Sequence, residues 1–157
     1  MPGVRLAGKV AIVTGAGSRG EGIGNGRAAA VLFAREGARV LLVDQQAEAA
    51  ERTLAMIRAE GGEAAVFAAD VTRTGACRAM VEEAVRRWGR LDVLDNNVGI
   101  GGRGTVVDVD EVEWERVMRV NVTGMMLASK HAIPAMRLAV AAPSSTSRRS
   151  RRCGRGA

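Results

Sequence analysis

Val10-Ala11-Ile12-Val13-Thr14-Gly15-Ala16-Gly17-Ser18-Arg19-Gly20-Glu21-Gly22-Ile23-Gly24-Asn25-Gly26 is the stretch on which the reading of this sequence turns. A short, continuous apolar run enters a cluster of glycines, and a helical pattern leaves it. An apolar run without alternation suits a strand buried on both faces, as in a parallel sheet. Glycines permit a tight turn and let backbone N–H groups come close to a pyrophosphate. The helix N-terminus beyond adds a favourable field for the anion. The bland alternative is a flexible glycine loop. The strand before and the helix after argue against it, because they supply the context a phosphate loop needs.

Outward from this loop the pattern repeats. A helical stretch over residues 26–36 is closed by Gly37. Val40-Leu41-Leu42-Val43 reads as a second strand. Ala50, Leu54 and Ile57 recur at helical spacing up to Gly61-Gly62, and residues 64–68 read as a third strand. Met80, Val81, Ala84, Val85 and Trp88 make one apolar helical stripe stopped by Gly89. Residues 91–96 read as a fourth strand, and residues 110–119 and 121–137 as two helices. Repeated strand–helix–strand units of this length predict an α/β fold, a doubly wound parallel sheet with helices on both faces.

Asp44 ends the second strand, about twenty residues past the loop. A carboxylate there can accept hydrogen bonds from adenosine ribose hydroxyls and repels a 2′-phosphate. NAD is therefore expected as cofactor over NADP. Taken alone, Asp44 could equally cap a helix. Arg39 and Arg19 leave a phosphate partner open.

The 157 residues suffice for one domain of ordinary size, and 47% hydrophobic with 25% charged is globular composition. No apolar run is long enough for a membrane helix, and the start shows no signal peptide, so a cytoplasmic protein is expected. Cys77 and Cys153 lack metal-ligand or redox spacing, and no metal site is expected. The net charge of +6 belongs mostly to Arg148, Arg149, Arg151, Arg152 and Arg155. A basic tail can contact nucleic acid, but no aromatic or folded motif accompanies this one, so a solvated end is expected. Residues 1–139 are expected to form the dinucleotide-binding domain. Residues 140–157 are expected to be a Ser/Arg-rich tail, disordered from Pro143 because such a composition buries too little apolar area to offset its ordering entropy.

From about residue 6 to residue 136 the sequence resembles the short-chain dehydrogenase/reductase family. Thr14-Gly15 with Gly22-Ile23-Gly24 resembles that family's T-G-x-x-x-G-x-G loop, with extra residues at about Arg19-Gly20-Glu21. Asp70-Val71 matches the pair that contacts adenine. Asn96-Asn97-Val98-Gly99 resembles N-N-A-G, which steadies the sheet beside the cofactor. Asn121-Val122-Thr123-Gly124 resembles the N-V-x-G of the helix bearing the catalytic-tetrad asparagine. The resemblance implies a Rossmann-type sheet whose strand order begins 3-2-1-4. It implies hydride transfer between a nicotinamide cofactor and an alcohol or ketone, and a homo-oligomer. On it, Gly15, Ser18, Gly22, Ile23, Gly24, Asp44, Asp70, Val71, Asn97, Val98 and Gly99 are the cofactor-binding candidates, and Asn121 is the surviving tetrad position.

The family's chemistry also uses a serine and a tyrosine with a lysine four residues on. The tyrosine exchanges a proton with the substrate oxygen, the lysine lowers its pKa, and the serine polarises the carbonyl. This sequence contains no tyrosine. Ser129-Lys130 lies too early in the chain and reads as helix surface; Ser144 and Ser145 lack a strand-like setting. Catalysis by this chain is therefore expected to be lost. A non-catalytic nucleotide-binding or basic-tail interaction protein is the alternative.

Back-translated and read one base earlier per codon, residues 140–156 permit a sequence resembling the family's fifth strand and its serine. The body holds sixteen arginines against two lysines, as GC-rich coding would give. The expectation is a frameshifted, truncated dehydrogenase. Its fourth strand would be an unpaired edge, and Met125, Met126, Leu127 and Ile133 would be partly exposed, giving marginal stability and aggregation. Asp95 falls inside the fourth strand, where burying a carboxylate is costly. It could face a rim, or the strand could be distorted.

Overall fold

The computed structural model describes residues 4–18 and 22–141. Arg19-Gly20-Glu21 and everything from Ala142 onward, including Ser144, Ser145, Cys153 and the arginine tail, lie outside the described residues. The chain alternates β1 (Val10–Thr14), α1 (Asn25–Arg35), β2 (Arg39–Asp44), α2 (Ala47–Ala59), β3 (Ala64–Ala68), α3 (Thr74–Trp88) and β4 (Val93–Asn96). It then forms α4 (Glu111–Met118) and α5 (Gly124–Ala141). The four described strands form one parallel sheet in the order β3-β2-β1-β4. This is the α/β, Rossmann-type arrangement that the alternation of segments implies.

Period-two side-chain alternation divides these buried strands between two cores. Val10, Ile12, Leu41, Val43 and Ala65 point to one face, where Cys77, Met80, Val81 and Ala84 of α3 and Ala128 and Ala132 of α5 cover them. Val13, Val40, Leu42 and Ala64 point to the other, against Ala30 and Val31 of α1 and Ala50, Leu54 and Ile57 of α2. Strands read from continuous apolar runs are thus apolar because both faces are covered.

Three boundaries differ from the sequence reading. β4 begins at Val93 rather than at residue 91, although Leu91 is fully buried. Asp92 is engaged elsewhere: it accepts from Val10 N at 3.0 Å, from Lys9 Nζ at 3.3 Å, and from Arg90 through two bonds of 2.6 and 2.8 Å. Next, the two expected helices, 110–119 and 121–137, are joined by a π-helical turn, Arg119–Thr123, rather than a break. Lastly, α5 runs on to Ala141, past the expected helix end at residue 137, and carries Pro134 inside it.

Asp95 stands in β4 opposite Val13. Paired residues of parallel strands share a face, so Asp95 lies on the α1–α2 side, at the sheet's edge. It is half-buried, and the strand is not distorted. Burial pushes its carboxyl above the ordinary value.

Candidate nucleotide site

The β1-to-α1 and β4-to-α4 connections leave the C-terminal ends of adjacent strands, where such sheets have a crevice. A cavity of about 380 Å³ lies there, lined by Gly15, Gly17, Ser18, Gly24, Asn25 and Gly26 from the first connection. Asp44, Gln45 and Gln46 line it after β2, Asp70, Val71 and Thr72 after β3, and Asn97, Val98, Gly99 and Ile100 after β4. Nine of the sequence candidates therefore converge on one cavity: Gly15, Ser18, Gly24, Asp44, Asp70, Val71, Asn97, Val98 and Gly99. Gly22 and Ile23 do not line it, and Ile23 is exposed.

Backbone contacts set the register of the glycines. A Cβ on Gly26 would lie 2.1 Å from Gly15 O and 2.4 Å from Asn97 Nδ2. Only glycine lets α1 approach the β1 turn and the β4 connection this closely. Gly24, by contrast, has 3.7 Å of room and serves as the α1 N-cap. The close-packing glycine is thus Gly26, two residues beyond the last glycine of the motif read from the sequence. Gly17 is a second close approach: its Cβ would lie 2.5 Å from Ala49 Cβ. No side chain caps the first turn of α1 and no acidic residue occupies it, so its leading amides remain available to an anion.

The carboxylates are held in place. Asp44 Oδ2 accepts from Gly17 N at 3.0 Å and Oδ1 from Gln46 N at 3.0 Å, tying the end of β2 to the glycine loop. Asp70 Oδ1 accepts from Thr72 N at 2.9 Å and Thr72 Oγ1 at 2.7 Å. Burial pushes the Asp70 carboxyl up, but the bonds from Thr72 and Gln45 and the charge of Arg73 together outweigh it and hold it below its ordinary value. It stays ionised at neutral pH.

Thr14 fastens the two sides of the cavity. Its hydroxyl donates to Asp95 O at 3.1 Å and accepts from Asn97 N at 3.1 Å. Asn121, in the π turn, clamps the β4 connection: Oδ1 accepts from Ile100 N at 2.8 Å, and Nδ2 donates to Ile100 O at 2.9 Å. These two bonds use one N–H and one lone pair of its side-chain amide to hold backbone. Ser129 is not plain helix surface, since Asn96 Nδ2 donates to its Oγ at 3.1 Å and ties β4 to α5. Gly17 and Gly26, also on the cavity wall, stand out in the sequence only as glycines of the loop, and Gln46, Thr72, Ile100, Arg116 and Val120 carry no local sequence signal.

A larger open groove of about 1420 Å³ lies at the opposite end of the sheet, beside Lys9, Trp88, Arg90 and Leu138. Several of its charged groups pair within it: Lys9 and Arg90 with Asp92, and Arg78 with Glu82. Among the described residues no cluster of His, Cys, Asp or Glu could hold a metal. No helix among them is long and apolar enough to cross a membrane.

Comparison with known proteins agrees with this geometry. The family model described as short chain dehydrogenase matches residues 9–144. The chain is 45% identical over 132 residues to 2-(S)-hydroxypropyl-CoM dehydrogenase 3 of Xanthobacter autotrophicus, covering 84% of this chain and 50% of that protein. Among solved structures, it superposes with a TM-score of 0.83 and 44% identity on a Burkholderia xenovorans protein assigned to the short-chain dehydrogenases/reductases, covering 86% of this chain and 53% of the other. A short chain dehydrogenase from Mycobacterium smegmatis matches with a TM-score of 0.78 and 37% identity, covering 86% and 55%. The chain spans about half the length of the curated relatives it matches.

Proposed function

The chain belongs to the short-chain dehydrogenase family, which binds nicotinamide dinucleotides, and from this we propose that its residues form the cofactor half of an oxidoreductase site that prefers NAD. The observation that carries the reading is the single cavity into which the uncapped α1 amides, the close-approach glycines and Asp44 all open. The glycine loop and α1 N-terminus take the pyrophosphate, with Gly15, Ser18 and Gly24 on the wall. Gly22 and Ile23 close the loop behind that wall. Asp44 accepts from the adenosine ribose hydroxyls with the lone pairs left after its two backbone bonds. A 2′-phosphate beside that carboxylate would be repelled, which favours NAD. Asp70 and Val71 face the adenine, and Asn97, Val98 and Gly99 border the nicotinamide side.

A bound nicotinamide dinucleotide supplies the hydride acceptor or donor for an alcohol or ketone. The chain's own residues bind and orient it. Asn121 holds Ile100 and so fixes the floor of the site. With no tyrosine in the sequence, the proton transfer that the family gives to tyrosine has no carrier here. The 157-residue chain therefore binds cofactor without turnover.

Fluorescence titration with NADH and NADPH, followed by assay with simple alcohols and ketones, tests this. NADH binding tighter than NADPH, with the preference erased in Asp44→Ala, is expected together with no turnover. Equal affinity for the two cofactors would overturn the NAD preference, and turnover by this chain would overturn the loss of catalysis.

A further inference from the structure

Arg27, in the first turn of α1, is 5% exposed, an unusual setting for a guanidinium. It spans both limbs of the glycine loop. Nη1 donates to Gly22 O at 3.2 Å on the returning limb. Nε donates to Thr53 Oγ1 at 3.1 Å, and that hydroxyl, fully buried on α2, donates to Ala16 O at 2.8 Å on the outgoing limb. Nη2 is buried and meets no acceptor, and no carboxylate pairs with the group, among the described residues.

These contacts do two things. They hold the two limbs at a fixed separation behind the wall formed by Gly17, Ser18 and Gly24. They also leave a cation in a low-dielectric setting, where an uncompensated charge is costly and its field reaches far. We infer that Arg27 is a positioning residue whose buried charge is compensated by a pyrophosphate seated on the other side of the glycine loop. The ligand class is thus a nucleoside diphosphate or a dinucleotide, and a neutral nucleoside does not use Arg27. The inference rests on the dinucleotide reading above.

The test is calorimetric titration of the full chain and of Arg27→Met with ADP and with adenosine, beside apo melting temperatures. The expected result is ADP binding about tenfold weaker in Arg27→Met, with adenosine affinity unchanged and apo stability equal or higher, since a buried unpaired charge is gone. Arg27→Lys, which keeps the charge, should bind ADP nearly as the parent does. If Arg27→Met does not fold, Arg27→Gln carries the same comparison. ADP and adenosine weakening together, or unchanged ADP affinity with a less stable apo protein, would show a purely structural arginine with its counter-charge elsewhere in the protein. A parent chain that binds neither ADP nor NADH would instead overturn the dinucleotide reading itself.

Discussion

Gly26 and Asp95 show what single residues decide here. Gly26 lets a helix, a turn and the β4 connection meet at one point, and a methyl group there would overlap Gly15 O. Gly26→Ala should therefore cost at least about 3 kcal/mol and abolish cofactor binding, read by denaturant unfolding and NADH fluorescence. A normal melt with normal binding would refute the packing role. Asp95 has the opposite sign. Its pKa is raised by burial, so whatever it adds to stability is present at low pH and lost as pH rises through the folded value. At pH 7 it is a burden. Asp95→Val should stabilise by about 1 kcal/mol, allowing for solvent screening of a half-exposed group, or about 3 °C in Tm. The gain should vanish near pH 4, checked by melting across pH. The sequence shows Asp95 as an anomaly but not which face it takes; only its pairing with Val13 settles that. Gly24 and Gly26 are likewise indistinguishable as letters. Three glycines at alternate positions offer two registers, and the contact of Gly26 with Gly15, eleven residues back, selects between them.

Elements were more legible than residues. The inner strands β1 and β2 read true because a run of Val, Leu and Ile buried on both faces has few other uses. The α4–α5 junction is not legible, because the π turn RVNVT contains no glycine or proline to mark it. The late start of β4 is set by Asp92, whose partners Lys9 and Val10 lie at the start of the neighbouring strand β1. β4 pairs only with β1 among the described strands, and all four of its residues are half-buried. On the helix behind it, Met125, Met126 and Ile133 are each about half exposed and Leu127 is partly covered, as expected from the sequence. An open edge beside such a face favours association. Sedimentation velocity should show self-association of this chain that falls in Met126→Glu/Ile133→Glu, with the melting temperature nearly unchanged. A monodisperse monomer at high concentration would contradict this.

For the molecule as a whole, the two ends of the sheet have different work. The C-terminal ends of the strands carry the cavity, with polar groups turned into it. The N-terminal ends are locked by the Asp92 cluster. Burial raises the Asp92 pKa, but bonds from Arg90, Val10 N and Lys9 outweigh it and hold it below its ordinary 3.8. A depressed carboxylate contributes stability that is complete above the unfolded pKa and disappears as pH falls through the folded one. The chain should thus lose stability below about pH 4, and Asp92→Asn should cost about 2 kcal/mol at pH 7 while flattening that acid limb. An unaltered acid limb in the variant would assign it to other groups.

The central proposal is that these residues form the cofactor half of a dinucleotide site. Isothermal calorimetry of the folded chain with NADH tests it most directly. The account requires a saturable heat at one site per chain, with no oxidation of NADH when a ketone is added. Folded protein that gives no binding heat would contradict it.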